Sequence, residues 1–448
     1  MPQTRHDGAV PVYDLVGVGF GPSNLALAIA VLEHNAEADE ASAAGAVFLE
    51  RQPGFGWHRG MLIEDATMQV SFLKDLVTLR NPQSSFSFLC YLRERGRLID
   101  FVNHKSLFPL RVEFHDYLEW AATRVDAMVR YGHEMTRVVP VISDGVVEAF
   151  DVEARDGTGA VTVFRTRNVV LAGGLSPALP PGVTPSPRVW HSRDLLTKAD
   201  QLAGADPSRF VVVGAGQSAA EVTAFLHERF PDAEVCGVLS RYGYSPADDS
   251  PFANRIFDPG AVDEFFDASA QVKAMLLAYH GNTNYSVVDT DLIEALYRRV
   301  YQEKVLGRQR LRLLNVTRLV AAADQGERVA VTLEAMLTGE RTVLTADVLV
   351  CATGYHQADP FALLGDFAER CERDEHGRAS VERDYRLRTD DGVRAGVYLQ
   401  GGTEHTHGLS SSLLSNTATR CAEILQSALA RRDAGPVMSG PARAGTFA

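Results

Sequence analysis

The sequence predicts an α/β fold built from two parallel-sheet domains and a smaller helical region. A buried-strand pattern runs into a glycine-rich turn and then an apolar helix twice, at residues 13–32 and again at 209–226. This order of elements opens a βαβ unit. The chain has 448 residues, more than one hydrophobic core usually supports. We therefore expect two or three domains.

The first glycine turn has the features of a dinucleotide-binding loop. Gly19 and Gly21 precede Pro22 at the start of the predicted helix, and Asn24 stands where a third glycine is usual. Without Cβ atoms, glycines let backbone N–H groups at a helix N-terminus approach a pyrophosphate. The next strand ends at Glu50, where an acceptor for ribose hydroxyls belongs. These features predict a Rossmann-like unit.

The second turn differs from the first in its downstream residue. Gly214 and Gly216 are followed by Gln217 and Ser218, which we expect to contact a cofactor, and the next strand leads to Arg241 instead of an acid. An acid would repel a 2′-phosphate, whereas a guanidinium binds one, so NADPH is favoured over NADH. We therefore assign FAD to the first loop and NADPH to the second. No C-x-x-C pair is present, so oxygen is the expected electron acceptor.

Composition excludes several classes of partner. The formal net charge of −13 would repel phosphate backbones and anionic lipid, which argues against nucleic acid and a membrane surface. The five scattered cysteines are typical of reduced thiols, and the sequence shows no signal peptide or membrane-length apolar run, so we expect a cytoplasmic protein. His405 and His407 have no third ligand at supporting spacing, and no metal is expected.

The pattern of strands predicts a discontinuous first domain. We assign residues 1–178 and 345–430 to the FAD-binding domain and 179–344 to the NADPH-binding domain. Within the latter, residues 246–300 are predicted to form a helical substrate-binding segment. Residues 431–448 lack periodicity and are rich in Arg, Gly, Pro and Ser, which predicts a loosely held tail.

Seven stretches occur in the order found in one family of flavoproteins. They are Met68–Pro82, Pro53–His58, Phe108–Phe114, Ser250–Asn254, Asn282–Ser286, Ala352–Tyr355 and His407–Ser415. With these stretches in this order, the chain strongly resembles the N-hydroxylating flavoprotein monooxygenases, specifically the microbial L-ornithine N5-monooxygenases, and the resemblance covers nearly the whole chain.

The resemblance implies a reaction. NADPH reduces FAD, oxygen adds to the flavin as a C4a-hydroperoxide, and the neutral side-chain amine of L-ornithine takes one oxygen atom to give N5-hydroxy-L-ornithine. The protein must exclude water, which would otherwise release hydrogen peroxide. The family also implies a homotetramer and a role in hydroxamate siderophore biosynthesis.

The resemblance assigns the substrate to three residues. Lys74 matches the lysine that binds the α-carboxylate, and Asn254 matches an asparagine that shares this anchoring. Asn284 matches an asparagine that meets both substrate and NADP⁺. With Gln69, which resembles a donor to the flavin or its peroxide, Lys74 and Asn284 form the expected catalytic set.

Further positions are assigned to the cofactors by the same resemblance. Met68, Trp57, His58 and Arg111 match residues beside the flavin, and Met135 aligns with a backbone contact to the adenine. Ordinary core packing for Met68 and a structural ion pair for Arg111 stay open. The remaining positions are Tyr285 and Ser286, expected at a cofactor, Ser412, Leu413 and Leu414, expected at the flavin ring on a helix that starts after His407, and Ser410 or Ser415, expected near the substrate.

Other functions remain open at this stage. L-Lysine N6- and diamine N-hydroxylases share the loops, and one methylene changes specificity by only about 1–3 kcal/mol. A Baeyer–Villiger or sulfur-oxidising enzyme is more distant, because the glycines that should precede His191 in such a signature are missing. A non-enzymatic nicotinamide or flavin sensor would have no use for Lys74 and Asn254.

Overall fold

The computed structural model describes residues 11–283 and 285–432. The strands are β1 (Val12–Val18), β2 (Ala46–Glu50), β3 (Val129–Tyr131), β4 (Glu134–Ser143), β5 (Val146–Arg155), β6 (Val161–Leu171), β7 (Leu175–Pro177), β8 (Val189–His191), β9 (Arg209–Val213), β10 (Glu234–Val238), β11 (Leu311–Leu314), β12 (Thr317–Asp324), β13 (Val329–Ala335), β14 (Arg341–Ala346), β15 (Val348–Cys351), β16 (Tyr355–Gln357) and β17 (Gly396–Leu399). The α-helices are α1 (Pro22–Glu37), α2 (Phe88–Glu94), α3 (Leu98–His104), α4 (Arg111–Arg124), α5 (Leu195–Asp200), α6 (Gln217–Arg229), α7 (Pro259–Asp267), α8 (Ala270–His280), α9 (Thr290–Val305), α10 (Pro360–Leu364), α11 (Glu404–His407) and α12 (Thr417–Arg432).

The first sheet carries the first glycine loop. Its strand order is β3-β2-β1-β6-β5-β4, and β17 also pairs with β6. In β1, Val16 lies between Val47 of β2 and Val169 of β6, all in parallel register. Such strands are covered on both faces and therefore need continuous apolar sequence. Because β1 and β2 are parallel, the Gly19 loop and Glu50 lie at the same edge of the sheet.

The second sheet repeats this plan around the second glycine loop. Its order is β11-β10-β9-β15-β8, with every neighbouring pair parallel. A separate antiparallel sheet of β12, β13 and β14 packs beside it. The loop after β9 therefore occupies the position that the Gly19 loop occupies after β1.

Strand pairing corrects the predicted domain boundary at residue 345. Strand β15 (Val348–Cys351) pairs with β8 and β9 of the second sheet, so it belongs with the domain that carries the second glycine loop. Its four residues are all buried and apolar, as a central parallel strand requires. The chain passes between the two sheets in two segments, which pair with each other as β7 and β16. The backbone N–H of Ala178 also donates to the carbonyl of Gly354 there. We place the boundary after Cys351; the other limits stay predictions.

Helices complete the core around the sheets. Helix α1 packs against α12, and both contribute to the largest hydrophobic cluster. Residues 246–300 include α7, α8 and most of α9, together with a short 3₁₀ helix at Ala253–Phe257. Helix α12 continues to Arg432, so the predicted tail begins no earlier than residue 433, and the rest of that prediction lies outside the described residues. Among the helices described, none is long and apolar enough to cross a membrane.

Candidate active site

The first glycine loop forms a turn with open space beside it. Gly19 has φ of +81°, and a Cβ there would collide with the carbonyl oxygen of Ala172. At Gly21 a Cβ would meet nothing within 4 Å, and this residue caps α1 without a side-chain hydrogen bond. The first amides of α1 are thus available to an anion such as a pyrophosphate. Pro22 opens the helix, as predicted.

Two buried polar side chains stabilise this loop by hydrogen bonds. Glu50 is buried and accepts hydrogen bonds from the backbone N–H of Phe20 at 2.7 Å and of Gln52 at 2.8 Å. Asn24 is fully buried; its Nδ2 donates to the carbonyl of Gly19 at 2.7 Å. The side chain of Asn24 therefore stabilises the loop from inside, and its assignment to the cofactor site stays a prediction.

A buried arginine connects the loop to the end of the chain. Arg420 is 2% exposed, and it donates to Ser23 Oγ at 3.2 Å, to Gln400 Oε1 at 3.1 Å and to the carbonyl of Ser411. Among the described residues it has no carboxylate within ion-pair distance. Sequence analysis missed Arg420, although its position four residues before the buried Ile424 places it on the apolar face of α12.

The serine-rich segment does not form the predicted helix. After Gly408, which has φ of +78°, the chain makes two 3₁₀ helices, Leu409–Ser412 and Leu414–Asn416, before α12 begins. Serine hydroxyls compete for backbone hydrogen bonds and favour such turns over a helix interior. We call residues 408–416 the serine turn.

Buried polar atoms without partners make the serine turn a candidate ligand contact. The hydroxyls of Ser411 and Ser415 and both amide atoms of Asn416 are buried and make no hydrogen bond within the described structure. Unpaired buried polar groups are costly and rare in folded proteins. Ser410 is buried as well, whereas Leu413 and Leu414 are half-buried. The side chain of Ser412 lies outside the described residues.

The predicted substrate anchors lie beside the serine turn. The 3₁₀ helix that carries Asn254 packs against the 3₁₀ helix Leu409–Ser412. Lys74 Nζ lies 5.5 Å from the ring centroid of Phe257, on the same short helix as Asn254. Lys74 is half-buried and forms no ion pair with any described residue. Burial lowers the pKa of its ammonium group, and the charge of Asp258 partly opposes this.

The second glycine loop is in contact with residues 285–286. Gly214 has φ of +147°, and a Cβ there would collide with the carbonyl oxygen of Ala352. A Cβ on Gly216 would lie 3.2 Å from the Cα of Ser286. Arg241 donates to the carbonyl of Ser286 at 3.0 Å. The structure thus brings together the loop, the predicted phosphate-binding arginine and the segment that follows Asn284, while Asn284 itself lies outside the described residues.

Ser218 and Tyr285 lie next to the second glycine loop and the segment in contact with it. Ser218 is the second residue of α6 and lies half-buried behind the Gly216 cap. Tyr285 donates a hydrogen bond to Glu404, just before the serine turn. The contact links the predicted nicotinamide segment with the predicted flavin segment.

A polar network crosses between the two loops. Arg111 pairs with Glu221 of α6, and Gln217 Nε2 donates to Glu221 Oε1 at 3.0 Å and to Asp289 Oδ2 at 3.0 Å. Gln69 Nε2 donates to the other oxygen of Asp289 at 3.3 Å. Arg111 thus forms the structural ion pair that the sequence analysis left open. The Gln217 amide is hydrogen-bonded to protein side chains. Sequence analysis did not single out Glu221 or Asp289.

The remaining flavin-side residues are largely packed. Met68 is buried in the main hydrophobic cluster, in keeping with the core alternative. Trp57 contacts that cluster, and its ring lies 4.7 Å from the ring of His58. Burial, with the nearby charges of Arg111 and His115, lowers the pKa of His58 to about 4. The His58 ring is therefore neutral at neutral pH.

The described contacts of Met135, His405 and His407 are with residues outside the two glycine loops. Met135 is the second residue of β4, lies beside a register shift and packs against the second hydrophobic cluster. His405 and His407 each direct Nε2 at a backbone carbonyl, those of Ala379 and Arg383 respectively. Within residues 11–283 and 285–432, no group of three or more His, Cys, Asp or Glu side chains is arranged to hold a metal ion.

Comparison with known proteins assigns this arrangement to a family. Residues 11–357 match the family described as L-lysine 6-monooxygenase/L-ornithine 5-monooxygenase. The L-ornithine N(5)-monooxygenase of Burkholderia cepacia is 42% identical over 89% of this chain and 90% of its own length. The enzyme of that name from Pseudomonas aeruginosa is 39% identical over 94% of both chains.

A solved structure agrees with these relatives. The ornithine N-hydroxylase of Kutzneria sp. 744, described with reduced FAD, NADP⁺ and L-ornithine, superposes with a TM-score of 0.91. It is 48% identical, and the match covers 94% of this chain and 100% of the other. The predicted α/β fold and the resemblance to N-hydroxylating flavoprotein monooxygenases are confirmed. The chain belongs to the L-lysine 6-monooxygenase/L-ornithine 5-monooxygenase family.

Proposed function

We propose that this protein uses FAD and NADPH to hydroxylate the side-chain amine of L-ornithine. The observation that carries the proposal is the half-buried ammonium group of Lys74, which has no carboxylate partner among the described residues and lies beside the short helix that carries Asn254 and packs on the serine turn. A cation held in this way is suited to an amino-acid carboxylate. The 42–48% identity to ornithine hydroxylases supports ornithine as that amino acid.

The residues present fit both cofactors. The Gly19–Gly21 turn, with its open space and free helix amides, would hold the FAD pyrophosphate, and Glu50 would lie near the adjoining ribose. The orphaned hydroxyls of the serine turn would face polar atoms of the flavin or substrate. The Gly214–Gly216 turn, with Ser218 and Arg241, would hold the NADPH phosphates.

The protein's own residues bind, orient and dehydrate the reactants. FAD, when bound, supplies the transfer of electrons from NADPH and the activation of oxygen. Lys74 would hold the α-carboxylate, so that the chain of the substrate extends its amine away from this anchor. Desolvation of the bound amine would favour its neutral form, as burial lowers the pKa of Lys74 itself. Only that form has a lone pair with which to accept oxygen.

L-Lysine and diamines are the competing substrates. A diamine has no carboxylate for Lys74, so the Lys74 anchor favours an amino acid. Lysine differs from ornithine by one methylene, which a pocket distinguishes by about 1–3 kcal/mol. The family includes both lysine and ornithine enzymes, so the choice between them needs a direct measurement.

The deciding experiment measures NADPH oxidation and hydroxylamine formation by the purified flavoprotein with L-ornithine, L-lysine and putrescine. We expect the highest kcat/KM for hydroxylamine formation with L-ornithine. Lys74→Ala should oxidise NADPH slowly while losing hydroxylation. Faster hydroxylamine formation from lysine or putrescine would overturn the substrate assignment. Protein without flavin absorbance, even after incubation with FAD, would favour a sensor.

We also propose assembly as a homotetramer, as the resemblance implies. Helix α8 exposes Val272, Met275 and Tyr279 on one face, and α9 exposes Tyr297 and Tyr301. Exposed apolar faces of this kind are typical of surfaces that bind another chain. Light scattering should give the mass of four chains, and a combined Tyr297→Glu and Tyr301→Glu variant should give a smaller assembly. A cytoplasmic location and a role in siderophore biosynthesis stay predictions.

A further inference from the structure

Asp289 lies between residues that belong to the two cofactor sites. Its Oδ1 accepts a hydrogen bond from Nε2 of Gln69, which follows the buried Met68, and its Oδ2 accepts one from Nε2 of Gln217, which follows the second glycine loop. Its own backbone N–H donates to Gln217 Oε1 at 2.9 Å. Asp289 thus makes three hydrogen bonds, which connect Gln69 with Gln217 beside the second glycine loop.

The position of Asp289 makes this use of its side chain unusual. Asp289 is the N-cap of α9, where aspartate normally accepts a hydrogen bond from an amide of the first helical turn. Here the side chain makes no capping hydrogen bond. The carboxylate is directed at the two glutamines instead, although helix α9 would be more stable with a conventional cap. Such a local conflict is characteristic of functional positions.

The chemistry of a carboxylate fixes how both glutamines are turned. An ionised carboxylate only accepts hydrogen bonds, so Gln69 and Gln217 must each present the NH₂ group to it. In Gln69 this leaves Oε1, which has no hydrogen bond to any described residue, and the second N–H for a bound group. The pKa of Asp289 is raised, chiefly by burial, so the hydrogen bonds lie in partly dry surroundings.

We propose that Asp289 is a positioning residue that fixes the orientation of the Gln69 amide and ties it to Gln217 at the nicotinamide loop. The inference rests on the proposed function, because Gln69 is assigned to the flavin side of an N-hydroxylation site. A correctly turned Gln69 would support oxygen transfer to the amine, whereas a freely rotating one would let hydrogen peroxide escape. Asp289 therefore governs how much hydroxylamine is made for each NADPH consumed.

The test compares hydroxylamine formed with NADPH oxidised and hydrogen peroxide released, using the holoenzyme with L-ornithine. In Asp289→Asn, an amide NH₂ replaces one acceptor and faces a glutamine donor. We expect the hydroxylamine yield per NADPH to fall by roughly fivefold, the factor that one ordinary hydrogen bond represents. Peroxide should rise correspondingly, while FAD content and NADPH oxidation persist. Asp289→Ser, which restores a capping side chain but removes the carboxylate, should behave in the same way if the Asn variant folds poorly.

Two further variants separate positioning from general structural support. Asp291→Asn removes the same charge from the first turn of α9 at an exposed site, and should leave the yield unchanged. If Asp289 acts through Gln69, the double variant Gln69→Ala/Asp289→Asn should match Gln69→Ala alone. An unchanged yield in Asp289→Asn, or effects that add in the double variant, would overturn the inference. A wild-type enzyme that forms no hydroxylamine would instead overturn the proposed function.

Discussion

Arg111 and Glu221 form a two-point ion pair between the two halves of the molecule. Arg111 Nη1 lies 2.9 Å from Glu221 Oε2, and Nη2 lies 2.6 Å from Oε1. Arg111 begins α4, which packs in the flavin-loop core, whereas Glu221 lies on α6 beside the second sheet. Both side chains are largely buried. The pair therefore sets how the two loops face each other.

We predict that Glu221→Gln destabilises the protein and weakens NADPH binding. The substitution leaves the Arg111 guanidinium buried without a carboxylate, which typically costs about 3–5 kcal/mol. The measurements are the free energy of unfolding in urea and the KM for NADPH. Glu228→Gln is the matched control, because Glu228 pairs with Arg299 on the exposed side of the same helix, where a pair contributes about 1 kcal/mol or less. Equal effects of the two substitutions would contradict this account.

We predict that ornithine binding weakens at alkaline pH because of Lys74. Burial lowers the pKa of Lys74 below the ordinary value of 10.5. As the pH rises through this lowered pKa, the ammonium group loses its proton and no longer attracts the carboxylate. Lys74→Met should weaken binding by about 1–3 kcal/mol below this pKa, as expected for a lost charged hydrogen bond, and by less above it, where Lys74 itself is neutral.

The pH dependence is measured as the dissociation constant of L-ornithine from the oxidised enzyme between about pH 7 and pH 10, below the value of about 10.4 at which an unperturbed lysine titrates. Lys74→Arg is the matched comparison, because a guanidinium stays protonated throughout this range. The substrate's own titration is common to all variants, so the difference between wild type and Lys74→Arg isolates Lys74. Identical pH profiles for these two proteins would exclude Lys74 as the titrating anchor.

We predict that Arg420→Met lowers FAD occupancy. The substitution removes the donors to Ser23 Oγ, Gln400 Oε1 and the Ser411 carbonyl, and each lost buried hydrogen bond costs about 1–3 kcal/mol. FAD per chain is measured by absorbance after gel filtration. Arg431→Met is the control, since Arg431 lies at the exposed end of the same helix and pairs with Glu382. It should retain FAD as the wild type does.

We predict that mild acid destabilises the folded protein through its buried histidines. Burial lowers the pKa of both His58 and His407 to about 4, whereas an unfolded histidine titrates near 6.5. Between these values the unfolded chain binds more protons, so the free energy of unfolding falls as the pH falls, by about 1–3 kcal/mol per pH unit for two such groups. Urea unfolding with FAD in excess, over about 2 pH units from roughly pH 4.5 to pH 6.5, measures the slope. His407→Gln should reduce that slope; an unchanged slope would exclude His407 as a source.

Local sequence patterns predict the parts of the site that depend on short-range physics. The glycine turns, the parallel strands leading into them and Glu50 at the end of β2 all follow from residues close together in the chain. The position of Lys74 beside the helix of Asn254 required the family resemblance, because the two residues lie far apart in the sequence. Their joint placement at the serine turn is a tertiary outcome.

Long-range pairing accounts for what sequence reasoning missed. Asn24 occupies a glycine position in the fingerprint, but its amide finds partners in Gly19 and in Gln400, far along the chain. The predicted limit at residue 345 places β15 in the first domain, whereas it pairs with β8 and β9, because an apolar run does not indicate which strand it will join. Asp289 resembles an ordinary helix cap, and only the folded structure shows its carboxylate turned away from the helix.

Arg420 and β17 also have a consequence for the order in which the chain folds during synthesis. All strands of the second sheet lie between residues 189 and 351, so that domain can close while the ribosome is still at work. The first sheet must wait for β17, and its glycine loop must wait for Gln400 and Arg420. Domains made first usually fold first. In this protein the first sheet begins to emerge first but is completed last. A nascent chain is therefore expected to acquire a nicotinamide site before it can retain a flavin.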